Sequence, residues 1–435
     1  MSAPTGPACV PLSEEDRAIL DLECATVVGH VLHIVLLDGP AVTAADLRTR
    51  IATRLDAAPE LRYRLAGTAG RPTWVPVPDD ELDLDLHVVD APGGPRDHAG
   101  LRALAADRFV QHLDRARPLW AMEVTPLDDG GTALLWRLHH ALADGATITR
   151  LSRTVLYDEG PTDATGRPTT GTVVSPAPTI RADHERRRRH LLGVIRREFT
   201  LGPGHSPFDG ELSTRREVAV VDTDLPALHA AARGTGATVN DAVLSVLAGG
   251  LRRWIDHHAG VVTDLRVRVP VSLPRDDPSA GNRDSAFDLP LPLRLTDPLE
   301  RLRAVHELTS CRKDAGDAVR IDALLRRVAE VSPSVRRVVD RLRAGAGAFA
   351  VSVSNVPDPR APMAVLGRRV RAIWPVAEIG RHHALRVGAA SIADVLSFGL
   401  CADPGLVPGV DALADGLSAE SHLLVDAARA EGTRP

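Results

Sequence analysis

Aromatic residues make up only 3% of this 435-residue chain. Its core must therefore be built from Leu, Val and Ala. Lysine is nearly absent: Lys313 is the single one, and arginine supplies the remaining positive charge, as expected of a GC-rich genome. Basic residues number 52 against 57 acids, a formal net charge of −5. That balance argues against non-specific binding to nucleic acid. The four cysteines, Cys9, Cys24, Cys311 and Cys401, form no CxxC and no metal-ligand spacing. Free thiols in a reducing cytosol are the expectation. The N-terminus shows no basic region followed by an apolar one, so no signal peptide is expected. The most apolar stretches, Val27–Leu37 and Ala242–Leu251, fall short of the roughly 18 residues that span a bilayer. A soluble, cytoplasmic protein is expected. Several reaction motifs are missing as well. There is no GxSxG, GxGxxG, GxxxxGK[ST] or HExxH. A nucleophile elbow, a dinucleotide or P-loop site and a zinc-protease helix are unsupported, and no metal site is expected.

What is present is an alternation of strand-like and helix-like stretches over a length that suggests two α/β domains. Ser13 reads as the cap of a helix running to Glu23, and Thr43 as the cap of a helix to Ala57. Val27–Leu37, Ala121–Thr125 and Thr132–Leu138 read as strands, the last two joined by a turn at Asp129-Gly130-Gly131. Asp144 to Tyr157 reads as a helix. Residues 158–180 are rich in Pro, Thr and Gly and read as linker. A basic helix with Arg186-Arg187-Arg188-Arg189 follows, either a solvated face or a contact for anionic lipid or coenzyme phosphates. In the second half Thr238 caps an apolar helix to about Ile255. Strands are expected at Glu217–Val221, Leu265–Val271, Phe349–Val353, Arg369–Ile373, Ala384–Ile392 and Leu396–Cys401, and a closing helix at Leu417–Glu431. The expected division is 1–157, a crossover at 158–210, and 211–435.

Chemistry concentrates at His139-His140-Ala141-Leu142-Ala143-Asp144-Gly145. Two histidines close an apolar strand. Successive strand side chains point to opposite faces, so one can pack while its neighbour faces a cleft. An imidazole of ordinary pKa near 6.5 serves as a base at neutral pH. Asp144 follows His140 at i+4, and Gly145 lets the backbone turn. The chain contains its own comparison, because His257-His258 and His382-His383 lack this Asp-Gly. From the residues alone His140 is either a base or a satisfied core histidine.

The stretch matches the HHxxxDG motif of coenzyme-A-dependent acyltransferases, which condensation domains of peptide synthetases share. The flanking pattern is narrower and resembles the bacterial wax ester synthase/diacylglycerol acyltransferase family. It includes Leu12-Ser13-x-x-Asp16, Arg62-x-Arg64-Leu65, Pro72-Thr73-Trp74, Leu84-x-x-His87 and Arg117-Pro118-Leu119-Trp120. It continues with Thr238-Val239-Asn240-Asp241, Val269-Pro270-Val271-Ser272, Gly281-Asn282, Leu289-Pro290-Leu291-Pro292 and Ser354-Asn355-Val356-Pro357. The family's PLWE reads Pro118-Leu119-Trp120-Ala121 here, with Glu123 two residues late. Its PVSLR pattern gains Pro274 before Arg275, and its SNVP continues with Asp358-Pro359.

The resemblance implies two chloramphenicol-acetyltransferase-like domains with a tunnel between them and His140 at its middle as general base. His139, Asp144 and Gly145 support the motif. Pro118, Leu119, Trp120, Asn240, Asp241, Ser354 and Asn355 become candidates for the substrate tunnel, with Asn240, Ser354 and Asn355 also candidate oxyanion donors. Acyl-CoA would be co-substrate, with no other cofactor. The acceptor would be diacylglycerol or a long-chain alcohol, met at the surface of a membrane or lipid droplet. The alternatives are a carrier-protein-dependent condensation-type enzyme and a non-catalytic relative.

Overall fold

A computed structural model describes residues 9–432 apart from 69–70, 79, 159–205, 273–283, 315, 333–334, 336–337, 340–341, 344, 346 and 358–360. The linker expected at 158–180, the arginine-rich helix, Gly281-Asn282 and Arg275 therefore lie outside the described residues, apart from Asp158. Three sheets carry the chain. A small one joins Val10–Pro11 (β1), Tyr63–Thr68 (β3) and Arg71–Pro76 (β4). The first large sheet runs Ala364–Val365 (β12), Arg368–Val376 (β13), His30–Leu37 (β2), Thr132–His139 (β7), Trp120–Pro126 (β6) and Val88–Asp90 (β5). The second runs Asp284–Leu291 (β10), Leu265–Ser272 (β9), Val351–Pro357 (β11), Leu385–Ile392 (β14), Val395–Ala402 (β15) and Glu217–Asp224 (β8).

A boundary at residue 211 divides the chain but not the sheets. Strand β13 comes from the second half and pairs antiparallel with β2, with Ile373 opposite Val35 and Val376 opposite Leu32. It closes the first sheet, so each half is incomplete without the other.

The first sheet is buried on both faces, which is why β2, apart from His30 and His33, is apolar on both sides. Val31, Val35, Leu134 and Trp136 pack with Leu47 and Ile51 of the Ala44–Ala52 helix and with Ile148 and Leu151. Leu32, Ile34, Leu135 and Trp374 instead join the core of the second half. The sheets meet closely at one place. Gly388 and Gly399 are paired across β14 and β15, and Pro375 of β13 lies over both. Nearby, Trp374 Nε1 donates to Asp222 Oδ1 on β8 at 3.1 Å.

Local signals place the elements. Ser13 Oγ accepts the Asp16 N–H at 2.9 Å. Thr43–Asp46 and Thr238–Asp241 form capping boxes. The β6–β7 hairpin turns where expected, with Gly130 at φ +87°. Several elements differ from expectation. The helix capped by Thr43 ends at Ala52, followed by a separate 3-10 turn at Leu55–Ala57, and the short strands β1 and β12 have no counterpart in the sequence reading. Strand β10 has no counterpart in the sequence reading; it contains Pro290 and lies at a sheet edge, where proline is tolerated. The last helix starts at Val410 rather than Leu417. Gly416 suggests a helix break, but it lets this helix approach Gly250 of the Val239–His258 helix.

Gly399→Ala would push a methyl group into the Pro375 carbonyl. Overpacking of this kind costs roughly 1–3 kcal/mol. The variant is expected to unfold at a lower urea midpoint than wild type. An unchanged midpoint would show that the sheets do not depend on this contact.

Candidate active site

The paired histidines stand where β7 ends. The His139 N–H donates to the Leu119 carbonyl at 3.0 Å, and the His140 N–H donates to the Gly29 carbonyl at 2.8 Å. These two bonds hold consecutive residues between neighbouring segments on either side, so their side chains take opposite faces.

His139 is 2% exposed and fully committed. Its Nδ1 accepts the Ala141 N–H at 3.0 Å. The proton must then sit on Nε2, which donates to Glu23 Oε1 at 2.6 Å. Burial opposes charge on Glu23, but its bonds to His139 and Arg115 outweigh that and hold its carboxyl below the ordinary range. Gly29 is required beside this ring. Its φ is +71°, and an added Cβ would lie 2.6 Å from His139 Nε2.

His140 is half-buried. Burial first, then the positive charge of Arg386 and the neighbouring His139 and His33, pushes its pKa down to about 3. Burial likewise lowers His33 to about 4. The His140 ring is therefore neutral at physiological pH.

Asp144 is fully buried and caps the Gly145–Leu151 helix, its Oδ1 accepting the Thr147 N–H at 2.7 Å. Gly145 has no positive φ, so the expected turn is not what calls for glycine. A Cβ there would sit 3.1 Å from Val356 Cγ2. The missing side chain lets β11, which carries Ser354-Asn355-Val356-Pro357, close on the histidine loop.

The remaining candidates separate into two groups. Asn240, in the first turn of the Val239–His258 helix, meets Asn355, whose Nδ2 donates to Asn240 Oδ1 at 3.4 Å. Asn240, Ser354 and Asn355 are half-buried and keep some accessible surface. Asp241, Pro118, Leu119 and Trp120 are buried and bonded into the framework. Asp241 accepts the Thr238 N–H at 2.8 Å, Thr309 Oγ1 at 2.6 Å and His306 Nδ1 at 2.9 Å. Leu119 supports His139 through its carbonyl. Trp120 Nε1 donates to the Leu61 carbonyl at 2.8 Å, and its ring stacks on His87 at 4.4 Å. Pro118 bridges to Arg64. Glu123 faces Arg108, with Nε 2.8 Å away.

The other histidine pairs go elsewhere. His257 and His258 end a helix on the surface. His382 is exposed, and His383 is buried against Asp209 at 3.1 Å and stacked on Phe349. A cleft of about 530 Å³ between the His98–Phe109 helix and residues 214–218 contains none of the predicted site residues. Glu23 was missed by sequence reading. Its signal is an acid at the C-cap of the Glu14–Leu22 helix, where the helix dipole disfavours negative charge unless a partner is near.

Residues 12–197 match the wax ester synthase/diacylglycerol acyltransferase catalytic domain, and residues 280–424 match the WS/DGAT C-terminal domain. A putative diacylglycerol O-acyltransferase of Mycobacterium tuberculosis is 30% identical over 488 aligned residues, covering 97% of this chain and 98% of its own. The solved wax ester synthase/diacylglycerol acyltransferase from Marinobacter aquaeolei VT8 superposes with a TM-score of 0.70 at 24% identity, covering 96% of this chain and all of that one. The starter condensation domain of rhizomide synthetase, solved with C8-CoA, gives 0.61 at 13% identity over 97% of this chain and 95% of its own. These structural likenesses establish a shared fold.

Glu23→Ala would strand the buried His139 Nε2–H. An unsatisfied buried donor costs about 1–3 kcal/mol. A lower urea midpoint is expected, and a midpoint equal to wild type would contradict the role given to Glu23.

Proposed function

Since the chain belongs to the wax ester synthase/diacylglycerol acyltransferase family, we propose that it transfers an acyl group from acyl-CoA to the hydroxyl of diacylglycerol or a long-chain alcohol, with His140 as general base. One observation carries this assignment. Of two adjacent imidazoles on opposite faces of the strand end, His139 has both nitrogens engaged with Ala141 and Glu23 in the framework, and His140 is kept neutral by burial and by Arg386. His140 takes the proton from the acceptor hydroxyl as oxygen attacks the thioester carbonyl. The C–S bond breaks, and His140 returns the proton to the departing thiolate of CoA. Burial and the charge of Arg386 keep the ring unprotonated and so able to accept that proton. No covalent acyl-enzyme is formed. Asn240, Ser354 and Asn355 are the side chains proposed to face the carbonyl oxygen; Asn355 bonds Asn240, their neighbour Val356 approaches Gly145, and all three retain accessible surface.

The two substrates would share a tunnel between the halves, where proximity can contribute up to roughly 7–11 kcal/mol. Among the described residues no helix is long and apolar enough to cross a membrane. Exposed Val335, Val338 and Leu342, at helical spacing, support a peripheral position on a membrane or lipid droplet. A carrier-protein-dependent condensation enzyme shares the fold and the motif, and it would accept an acyl group only from the carrier.

The test is ester formation and CoA release from palmitoyl-CoA with diacylglycerol and with hexadecanol. His140→Ala is expected to lose roughly 10²–10⁴-fold in kcat while retaining its unfolding midpoint. Wild type that turns over neither acceptor, or His140→Ala with undiminished turnover, would overturn the proposal.

A further inference from the structure

The chain places an acid behind the histidine loop that no motif of the sequence marks. Glu378 follows β13, the strand that returns from the second half to close the first sheet. It is 8% exposed. Its Oε2 accepts the Val28 N–H at 2.7 Å. The next residue, Gly29, gives its carbonyl to the His140 N–H at 2.8 Å and lies against the ring of His139. Glu378 thus grips the same short segment that aims both histidines.

The groups around Glu378 define its chemistry. Arg216, which precedes β8, lies 4.0 Å from Oε1 and 3.7 Å from Asp403 Oδ2. Arg216 also donates to the Thr26 carbonyl. Asp403, 1% exposed, accepts the Ser213 N–H at 2.6 Å. The Cys401 thiol on β15 is buried nearby, and burial together with Glu378 and Asp403 pushes its pKa up past the effect of Arg216 and Arg386. Residues Thr26–Gly29 are therefore tied to the second half by one carboxylate and one guanidinium. The carboxylate is held by its Val28 bond, by the Gly29 and Ile379 backbone N–H groups and by attraction to Arg216.

We propose that Glu378 is a positioning residue for the acyl-transfer reaction, holding the Val28–Gly29 backbone, and through it His140, in register when it is ionised. The proposal rests on the assignment of His140 as the base. Burial raises the Glu378 carboxyl to about 7, against the lowering effects of Val28, Arg216, Gly29 and Ile379. A raised carboxyl pKa means that the charge is present above about pH 7 and lost below it. Ionised, the carboxylate accepts the Val28 N–H with charge assistance and attracts Arg216. Activity that depends on the ionised form rises with pH through about 7, a region where His140, near 3, does not titrate.

The experiment has two arms. In the first, ester formation from palmitoyl-CoA is followed from pH 5.5 to 8.5 for wild type, Glu378→Gln and Glu378→Asp. Wild-type kcat is expected to rise through about pH 7. Glu378→Gln should be flat across that range, with kcat at pH 8 reduced roughly tenfold to hundredfold and KM for palmitoyl-CoA within about twofold of wild type. Glu378→Asp keeps a charge and should retain a pH-dependent kcat. In the second arm, hydrogen–deuterium exchange of wild type and Glu378→Gln is read at peptides covering residues 27–31 and 139–143. With intrinsic rates corrected, protection in wild type should increase through pH 7, and Glu378→Gln should remove that increase. A Glu378→Gln chain with the wild-type pH profile and wild-type exchange would overturn the positioning role. Should that variant not fold, wild-type exchange that ignores pH overturns it equally. The arms separate the two proposals. Absent wild-type turnover refutes acyl transfer and leaves the exchange arm to decide on Glu378.

Discussion

A single backbone hydrogen bond, from the His140 N–H to the Gly29 carbonyl at 2.8 Å, sets the conditions that the site must satisfy. It extends the β2–β7 ladder one residue beyond the pairing of His30 with His139. With His139 bonded on one side and His140 on the other, adjacent imidazoles cannot share a task. His139 turns into protein, where Ala141 and Glu23 occupy both nitrogens and fix its tautomer. His140 is left facing the opposite side, with its charge disfavoured by burial and by Arg386. The residues named by the motif thus divide by position. Some build the frame, namely His139, Asp144, Leu119 and Trp120, and one is presented by it.

The same bond explains why the chain crosses over itself. Gly29 lies at the start of β2, and β2 needs a neighbour on its other edge. That neighbour is β13, more than 330 residues later, and Glu378 just beyond it bonds Val28. Glycines make the crossing possible. Gly388 and Gly399 admit Pro375, Gly145 admits Val356, and Gly249, Gly250 and Gly416 let two helices touch. Each is a place where a single methyl group would separate surfaces that have to meet. A close-packed interior has no slack to absorb such an addition.

Much of this architecture is legible in the sequence. Ser13, Thr43, Thr238 and Asp144 are caps whose oxygens find the expected backbone N–H groups, because capping is decided within four residues. Strands β2 and β7 are legible because both faces are buried and both are apolar. The reading runs out where partners are distant in sequence. Nothing near Glu23 or Glu378 says that one meets His139 and the other Val28, since those pairings are made by the fold. Pro290 and Gly416 mislead for a related reason. Each breaks a local rule, and each is tolerated by its place, one on a sheet edge and the other against a second glycine. Asp241 was counted with the tunnel because of its motif, yet its carboxylate is spent on Thr238, Thr309 and His306. Motif membership marked these residues as necessary without saying for what.

The central claim is that of two adjacent histidines one is fixed as a single tautomer by its partners and the other is kept neutral by burial, and it can be observed without turnover. Nitrogen-15 spectra of histidine-labelled protein, with His139→Gln and His140→Gln used for assignment, report the protonation of each ring nitrogen. The account predicts that His139 keeps its proton on Nε2 and that His140 stays neutral from pH 8 down to pH 5. A His140 that titrates near the ordinary imidazole pKa of about 6.5, or a His139 protonated on Nδ1, would contradict it.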